Sequence, residues 1–214
     1  MTFKVTITPL ISRATLYLLA ACIFVTGPAN ANPMAGILDP KIIPDMFRGD
    51  ATAPVTLVVY SSPTCSHCID FHRSSLKALE GKYVARGVLK ISTRPFIRNS
   101  LDAVIFMIAN ARGADRFDET VAAFMNRMDE ITAAGEGTEA AVRKFAGEIG
   151  FGQLAFDRAV ANQPYLDHLT KATSEARDVF GVTGTPSFFV NGTQVVLKDS
   201  FAEVDQAVDA AAHR

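Results

Sequence analysis

Cysteine is scarce in this sequence, and neither sign of charge dominates it. The 214 residues include three cysteines, and 21 basic side chains nearly balance 22 acidic ones. So few thiols exclude a scaffold held by several disulfides, and the small net charge gives no basic field that favours nucleic acid. No apolar run reaches the roughly 18 residues that a membrane span requires. The composition is that of an ordinary globular protein, long enough for one core and an insertion.

Residues 1–31 have the pattern of a secretory signal peptide. Lys4 and Arg13 are the only charged residues there, and the block from Ala14 to Val25 is apolar. Ala29-Asn30-Ala31 then matches an A-x-A cleavage site. We therefore expect cleavage after Ala31 and an exported mature domain over residues 32–214.

A second interpretation of the same region is a lipid anchor. Leu19-Ala20-Ala21-Cys22 resembles a bacterial lipoprotein box, which would leave a lipid on Cys22. Against it, Ile23-Phe24-Val25 continues the apolar block, where a lipoprotein more often turns polar. If the chain is instead cut after Ala31, Cys22 leaves with the signal. The whole thiol content of the mature protein is then Cys65 and Cys68, which favours a working dithiol.

These two cysteines lie in the stretch Ser62-Pro63-Thr64-Cys65-Ser66-His67-Cys68. The apolar run Val55 to Tyr60 before it predicts a buried strand, and residues 69–79 after it predict a helix. Two cysteines three apart at a helix start share one face of the first turn, so they can form a disulfide. The helix N-terminus favours a thiolate on Cys65. We infer a redox C-x-x-C motif in which Cys65 attacks and Cys68 resolves the mixed disulfide.

Other uses of the two cysteines are less favoured by the pattern. An inert structural disulfide stays open, although the helix-start position argues against it. A metal site would need four ligands, and beyond Cys68 and His72 no second ligand pair follows. Haem attachment needs a histidine directly after the motif, where Ile69 stands. We therefore expect no metal and no other cofactor.

The rest of the chain predicts one α/β unit that is divided by helices. Residues 87–94 predict a second strand, Asn191-Gly192 predicts a tight hairpin with a partner strand over 193–197, and residues 201–212 predict a last helix. Between the second strand and the hairpin, the apolar spacing predicts helices over 101–111, 117–128, 138–149 and 154–160, and one that starts at Pro164. The helical insertion therefore covers about residues 97–176.

Thr185-Pro186 precedes the hairpin and is a candidate cis peptide bond. A cis bond there would leave the backbone of Thr185 free to pair with an extended client peptide, as in strand addition. The alternative is an ordinary trans proline that opens an edge strand. The residues alone do not decide between the two.

Together, the cysteine motif and the stretch from Gly181 to Gly192 resemble the DsbA family of thioredoxin-fold thiol-disulfide oxidoreductases. The resemblance covers about residues 50–212. It implies an α/β thioredoxin fold interrupted by an inserted all-helical domain. It also implies a periplasmic enzyme that donates its disulfide to exported proteins, with re-oxidation by a membrane partner of the DsbB kind that passes electrons to quinone.

The resemblance also assigns roles to individual residues. Cys65 matches the nucleophile of the redox-active disulfide, Cys68 the resolving cysteine, and His67 the histidine that stabilises the thiolate. Pro186 matches the cis proline that faces the disulfide, and Thr185 the residue whose backbone meets the substrate. No added dimerisation domain is visible, so a monomer is expected.

Three positions depart from the family's pattern. Ser66 stands where the best-known members have proline, and Thr185 stands where many oxidases have valine. Val59 occupies a strand position where relatives often carry a buried acid that helps proton transfer at the second cysteine. These departures leave a disulfide isomerase or a dedicated reductant as the alternative enzymes. A peptide-binding chaperone on the same fold is the non-catalytic alternative.

Overall fold

A five-stranded sheet lies at the centre of the computed structural model, which describes residues 33–198 and 200–214. The predicted signal peptide and Cys22 lie outside the described residues. The strands are β1 (Phe47–Arg48), β2 (Val55–Ser61), β3 (Leu89–Pro95), β4 (Ser187–Val190) and β5 (Thr193–Val195). Their order across the sheet is β1-β3-β2-β4-β5, with β2 and β3 parallel and every other pair antiparallel.

The central strand β2 is buried on both faces, as its apolar run predicts. Val55, Leu57 and Val59 pack in one hydrophobic cluster, whereas Val58 and Tyr60 pack in another on the opposite face. This alternation follows from the two-residue period of a strand. Helices therefore cover both sides of the sheet, which is the usual setting of parallel strands.

Nine helices occur in the described part of the chain. They are α1 (Ser66–Arg73), α2 (Ser75–Lys82), α3 (Ser100–Ala111), α4 (Phe117–Asn126), α5 (Met128–Ala133), α6 (Thr138–Glu148), α7 (Gln153–Val160), α8 (Gln163–Asp178) and α9 (Ala202–Ala212). Single 3₁₀ segments lie at Pro33–Leu38, Val84–Arg86, Ala114–Arg116 and Gly135–Gly137. No helix among the described residues combines the length and apolarity of a membrane span.

Two predicted helices are each divided in the structure. The helix expected over 69–79 breaks at Ser74, whose hydroxyl donates to the carbonyl of Asp70 at 2.7 Å. A serine that bonds back to the preceding turn competes with the helical ladder, which explains the break. The helix expected over 117–128 is interrupted at Arg127, which caps the end of α4 and the start of α5.

The helical insertion lies between β3 and β4 and has its own core. Ile105, Phe106, Phe124, Ala146 and Leu169 are buried there together with the cysteine pair. This arrangement confirms the predicted fold class, a thioredoxin-type sheet interrupted by helices. The insertion's limits, about 97–176, stay a prediction, because the end of α8 packs in the cluster beneath the sheet.

The leader segment, residues 33–50, is more ordered than its prolines suggest. Phe47–Arg48 adds a short strand to β3, which two residues without alternation could not reveal. Asp45 forms an ion pair with Arg94 of β3 at 2.7 Å, and both side chains are buried. Arg94 also donates to the carbonyl of Ile37 at 2.6 Å and to the Tyr60 hydroxyl at 3.0 Å. The leader segment is therefore attached to the sheet by charge and by strand pairing.

The predicted hairpin is confirmed. Asn191 and Gly192 both have positive φ, 46° and 82°, as a two-residue turn of this kind requires. The Asn191 side chain also accepts from the backbone N–H of Thr56 at 2.8 Å, so the turn is fixed to β2. β5 ends at Val195 and is therefore shorter than the expected 193–197.

Candidate active site

The cysteine motif lies where β2 passes into α1. The active-site loop, residues 62–64, connects the two, and Cys65 is the N-cap of α1 with an extended backbone. The N–H of Cys65 donates to the carbonyl of Ser62 at 3.2 Å, and the N–H of Ile69 donates to the carbonyl of Cys65 at 3.0 Å. The start of the helix is therefore fixed around the motif, with both cysteines as free thiols.

Cys68 is more deeply buried than Cys65, which is the order that the sequence predicted. Cys65 is 6% exposed and Cys68 is 1% exposed. Cys65 is nevertheless more covered than expected of the outer cysteine. In its thiol form it donates to the carbonyl of Thr185 at 3.2 Å, so the segment before β4 forms the wall over it.

The two thiols ionise as a pair. A hydrogen bond from the Cys68 thiol lowers the pKa of Cys65 to about 5, even though burial acts in the opposite direction. The side chain of Thr185, the backbone N–H of Cys68 and the charge of Arg98 lower it further. The pKa of Cys68 is raised, because its proton is held by the Cys65 sulfur and because the thiol is buried. At neutral pH the pair therefore carries one thiolate, on Cys65.

The Thr185–Pro186 bond is cis, which is the alternative that the family resemblance implied. The Thr185 hydroxyl is buried and finds no partner among the nitrogen and oxygen atoms of the described residues. Its proton is consequently available to the Cys65 thiolate. Cys65 and the segment carrying Thr185 thus meet directly, which the sequence could only infer from the family resemblance.

The two residues between the cysteines, Ser66 and His67, are both exposed on the first turn of α1. The groups that lower the pKa of Cys65 are Cys68, Thr185 and Arg98, and His67 is not among them. The role of His67 in stabilising the thiolate therefore stays a prediction. Sequence reasoning missed Arg98, which contributes the positive charge from just before α3.

A buried carboxylate, Asp102, holds the active-site loop from the side of the helical insertion. Its two oxygens accept from the Ser62 hydroxyl at 2.9 Å, from the Thr64 N–H at 3.1 Å and from the Arg98 N–H at 2.9 Å. Asn99 caps the same helix, and its amide donates to the Thr64 hydroxyl at 2.9 Å. Asp102 was also missed, although an acid in an otherwise apolar helix start was a visible signal.

Val59, six residues before Cys65, is buried on β2, and β2 contains no acidic residue. The polar groups that oppose the raised pKa of Cys68 are the Ser61 hydroxyl and the Ser62 N–H. Neither group can take up a proton at neutral pH. The expected absence of a strand acid thus leaves the buried thiol without an adjacent proton acceptor on β2.

Three features together define a thioredoxin-class redox protein. They are a buried strand, a helix that starts with C-x-x-C, and a cis proline next to that motif. The family model described as thioredoxin matches residues 41–210. The chain therefore belongs to the thioredoxin family.

Relatives with curated names support the same class. The chain is 27% identical to the "Putative protein-disulfide oxidoreductase" of Rickettsia typhi over 169 residues, which cover 78% of this chain and 62% of that protein. The corresponding Rickettsia conorii protein is also 27% identical, with 78% and 60% covered. The chain thus spans about three fifths of the length of these relatives.

Solved structures show the same fold. Wolbachia pipientis alpha-DsbA1 has a TM-score of 0.74 at 20% identity, covering 84% of this chain and 96% of that chain. A protein-disulfide isomerase from Novosphingobium aromaticivorans has a TM-score of 0.74 at 24% identity, with 80% and 100% covered. These matches confirm the predicted resemblance to the DsbA family in its fold, including the helical insertion.

Proposed function

We propose that this protein is a thiol-disulfide oxidoreductase that introduces disulfide bonds into exported proteins in the periplasm. The observation that carries the proposal is the position of Cys65 and Cys68 at the start of α1, with the Cys65 sulfur 3.2 Å from the carbonyl of Thr185. One sulfur of the pair is a stabilised thiolate at neutral pH and the other a buried thiol. A structural disulfide needs no such difference between its two sulfurs.

The reaction starts from the Cys65–Cys68 disulfide. A client thiolate attacks the Cys65 sulfur, the bond between the two cysteines breaks, and the electron pair moves to Cys68, which takes up a proton. A second client thiolate then attacks the client sulfur of the mixed disulfide. Cys65 leaves as a thiolate, and its low pKa makes it a good leaving group.

The proposed direction follows from the same pKa. Stabilising the Cys65 thiolate stabilises the reduced form of the pair, which makes the disulfide the stronger oxidant. The backbone of Thr185, next to the cis bond, is the proposed edge along which an extended client segment pairs. Cys65, Cys68 and Thr185 therefore act together, and no metal or other cofactor takes part.

Partners and location complete the proposal. Re-oxidation is assigned to a quinone-linked membrane oxidase of the DsbB kind, and the protein acts as a monomer. Export is assigned to residues 1–31 with cleavage near Ala31, and a lipid on Cys22 is the alternative. Fractionating cells and measuring the mass of the mature N-terminus separates these two outcomes.

One observation favours a second candidate, an isomerase or a dedicated reductant. Thr185 has a hydroxyl available to the Cys65 sulfur, whereas many oxidases of the family have valine there. The reduction potential of the Cys65–Cys68 pair decides between these candidates. An isomerase or reductant needs the dithiol form to persist in the periplasm, and an oxidase needs the disulfide form.

The decisive experiment mixes the oxidised protein with a reduced peptide that contains two cysteines. We expect disulfide formation in the peptide and its loss in Cys65→Ser. Equilibration with glutathione should show an oxidising pair, because of the stabilised thiolate. A strongly reducing pair would assign the protein to the reductants, and peptide oxidation that survives Cys65→Ser would refute catalysis by this pair and leave the chaperone candidate.

A further inference from the structure

Behind Cys68, on the side away from the client, lies a cavity of about 20 Å³. This volume is enough for one water molecule. Cys68 lines this cavity, together with Ser61 of β2 and Thr93 of β3. Cys68 therefore shares the cavity with the other groups that line it.

The lining of the cavity is mainly apolar, but it includes three ionisable side chains besides Cys68, namely His72, Arg48 and Asp118. Arg48 forms ion pairs with Asp118 at 2.7 Å and with Glu80 at 2.8 Å. The carboxylates of Asp118 and Glu80 are thus both paired with the Arg48 guanidinium. The His72 ring is half-buried, and no hydrogen bond to a described residue contributes to its ionisation. Among the residues that line the cavity, His72 is the one that can exchange a proton.

Cys68 requires such an exchange. Whenever the pair is re-oxidised, Cys68 must lose its proton before it attacks Cys65, and whenever a client is oxidised it must regain one. The thiol is 1% exposed, so bulk water does not reach it directly. Val59 occupies the strand position from which an acid could otherwise exchange a proton with Cys68.

The geometry points to His72 as the proton acceptor and donor for Cys68, acting through one water molecule in the cavity. His72 lies four residues after Cys68 on α1, so the two side chains share a helix face. This inference rests on the proposed function, since it concerns the same dithiol. It adds a residue to the site from the inner side of the helix.

During re-oxidation by a small disulfide, the Cys65 thiolate first attacks that disulfide and releases one thiolate. Cys68 then transfers its proton through the water to the neutral His72 ring. The Cys68 thiolate attacks the Cys65 sulfur, the mixed disulfide breaks, and the second small thiolate leaves. His72 finally releases the proton to solvent at its exposed edge. Two electrons pass to the small disulfide, and one proton passes through His72.

The surroundings of His72 keep its ring neutral. Burial and the charge of Arg48 on β1 lower the pKa of His72, and Lys77 on α2 lowers it further. The carboxylates of Glu80 on α2 and Asp118 on α4 raise it but do not cancel that effect. Because the pKa of His72 lies below the usual histidine value of 6.5, the ring is neutral and can accept a proton at neutral pH.

The test follows the second step alone. Reduced protein is mixed with oxidised glutathione, quenched with acid at intervals, and analysed by mass spectrometry for the Cys65–glutathione adduct and the internal disulfide. In His72→Gln, we expect the adduct to form at the wild-type rate and to resolve about tenfold more slowly or worse at neutral pH. His168→Gln, an exposed histidine on α8, is the matched control and should behave as wild type.

The pH profile separates a proton-transfer role from a packing role. In the wild type, the resolution rate should stay level across neutral pH and fall on acidification only at a pH below the ordinary histidine value of 6.5, because the pKa of His72 is lowered. In His72→Gln, it should rise about tenfold for each pH unit, since only solvent then deprotonates Cys68. If His72→Gln does not fold, Asp118→Asn gives the test instead, because removing that carboxylate should move the wild-type inflection to lower pH.

The outcomes are distinguishable. Equal resolution rates and equal pH profiles for His72→Gln and wild type would overturn the role of His72 and leave the oxidoreductase intact. A wild-type rate that rises across the neutral range without a level region would also overturn it. If the wild-type adduct never resolves into the internal disulfide, the proposed function itself fails.

Discussion

At the residue scale, the central feature is that one proton is shared between two sulfurs. Cys65 has the lowered pKa because Cys68 keeps a proton to donate to it, and Cys68 has the raised pKa for the same reason. Neither value belongs to one residue alone. A substitution at either cysteine therefore changes the ionisation of the other.

Stability in the reduced form should depend on pH through Cys65. Its pKa is lowered from 9.0 to about 5, so the unfolded chain binds the additional proton between these values. The stabilisation is therefore complete above about pH 9 and is lost as the pH falls towards 5. We expect the difference in unfolding free energy between reduced and oxidised protein to grow in favour of the reduced form as pH rises across this window.

Chemical denaturation of both redox forms at several pH values measures this difference. Ultraviolet absorbance of the reduced protein should show the thiolate disappearing around pH 5. Cys65→Ser has no thiol at this position. It should therefore lose both the pH dependence of the unfolding free energy and the thiolate absorbance near pH 5. A thiolate that titrates near the ordinary value of a cysteine would contradict the shared-proton arrangement.

Residues of the site divide into two groups by predictability. Cys65, Cys68, Thr185 and Pro186 belong to continuous motifs, so spacing and the family resemblance identified them. Arg98 and the Asp102 carboxylate act on the motif from another element, and sequence spacing contains no information on that approach. The Asp102 side chain bonds to the active-site loop and the charge of Arg98 acts on Cys65. Both residues follow β3, which lies next to β2 in the sheet.

At the element scale, α3 joins the helical insertion to the active-site loop. Its first turn holds Asp102, which satisfies the hydroxyl of Ser62 and the backbone N–H groups of Thr64 and Arg98. The rest of the helix is buried in the core of the insertion. The loop before Cys65 is thus held by a residue that belongs to the inserted part of the chain.

Asp102→Asn should destabilise the protein by about 1–3 kcal/mol. The asparagine has only one acceptor oxygen, and its NH₂ group would face a backbone N–H, so one buried donor loses its partner. Urea denaturation measures the loss, and Asp129→Asn on the exposed face of α5 is the matched control, expected within about 0.5 kcal/mol of wild type. Equal stability of the two variants would show that Asp102 does not hold the loop.

Elements with strong local signals were predicted well. β2 has its apolar run, α3 has the Asn99 cap, and the hairpin has Asn191-Gly192, so each needs little tertiary information. The break at Ser74 depends on a hydroxyl that bonds back to the carbonyl of Asp70, and the local sequence does not show that this bond forms. The break at Arg127 has no comparable local signal. Burial of the leader segment depends on Arg94, which the sequence places in a strand without showing its partner.

At the scale of the whole molecule, the leader segment depends on one buried ion pair. Asp45→Asn would leave the buried Arg94 guanidinium without its counter-charge, and we expect a loss of about 3–5 kcal/mol in unfolding free energy. The same leader segment supplies a control, Asp39→Asn, since the Asp39–Lys41 pair is exposed and should contribute little. Thermal unfolding of both variants measures the contrast, and similar effects of the two would contradict it.

The pairing of β2 with β4 has a consequence for synthesis. The Cys65 sulfur and the carbonyl of Thr185 that faces it are 120 residues apart in the chain, and the antiparallel register that aligns Tyr60 with Ser187 sets them opposite each other. The ribosome therefore delivers both cysteines long before it delivers the wall that covers Cys65. Until β4 is made and paired, the dithiol is an unshielded pair of thiols on a nascent chain. The synthesis of Thr185 and β4 thus decides when the two cysteines become shielded from oxidation by other proteins.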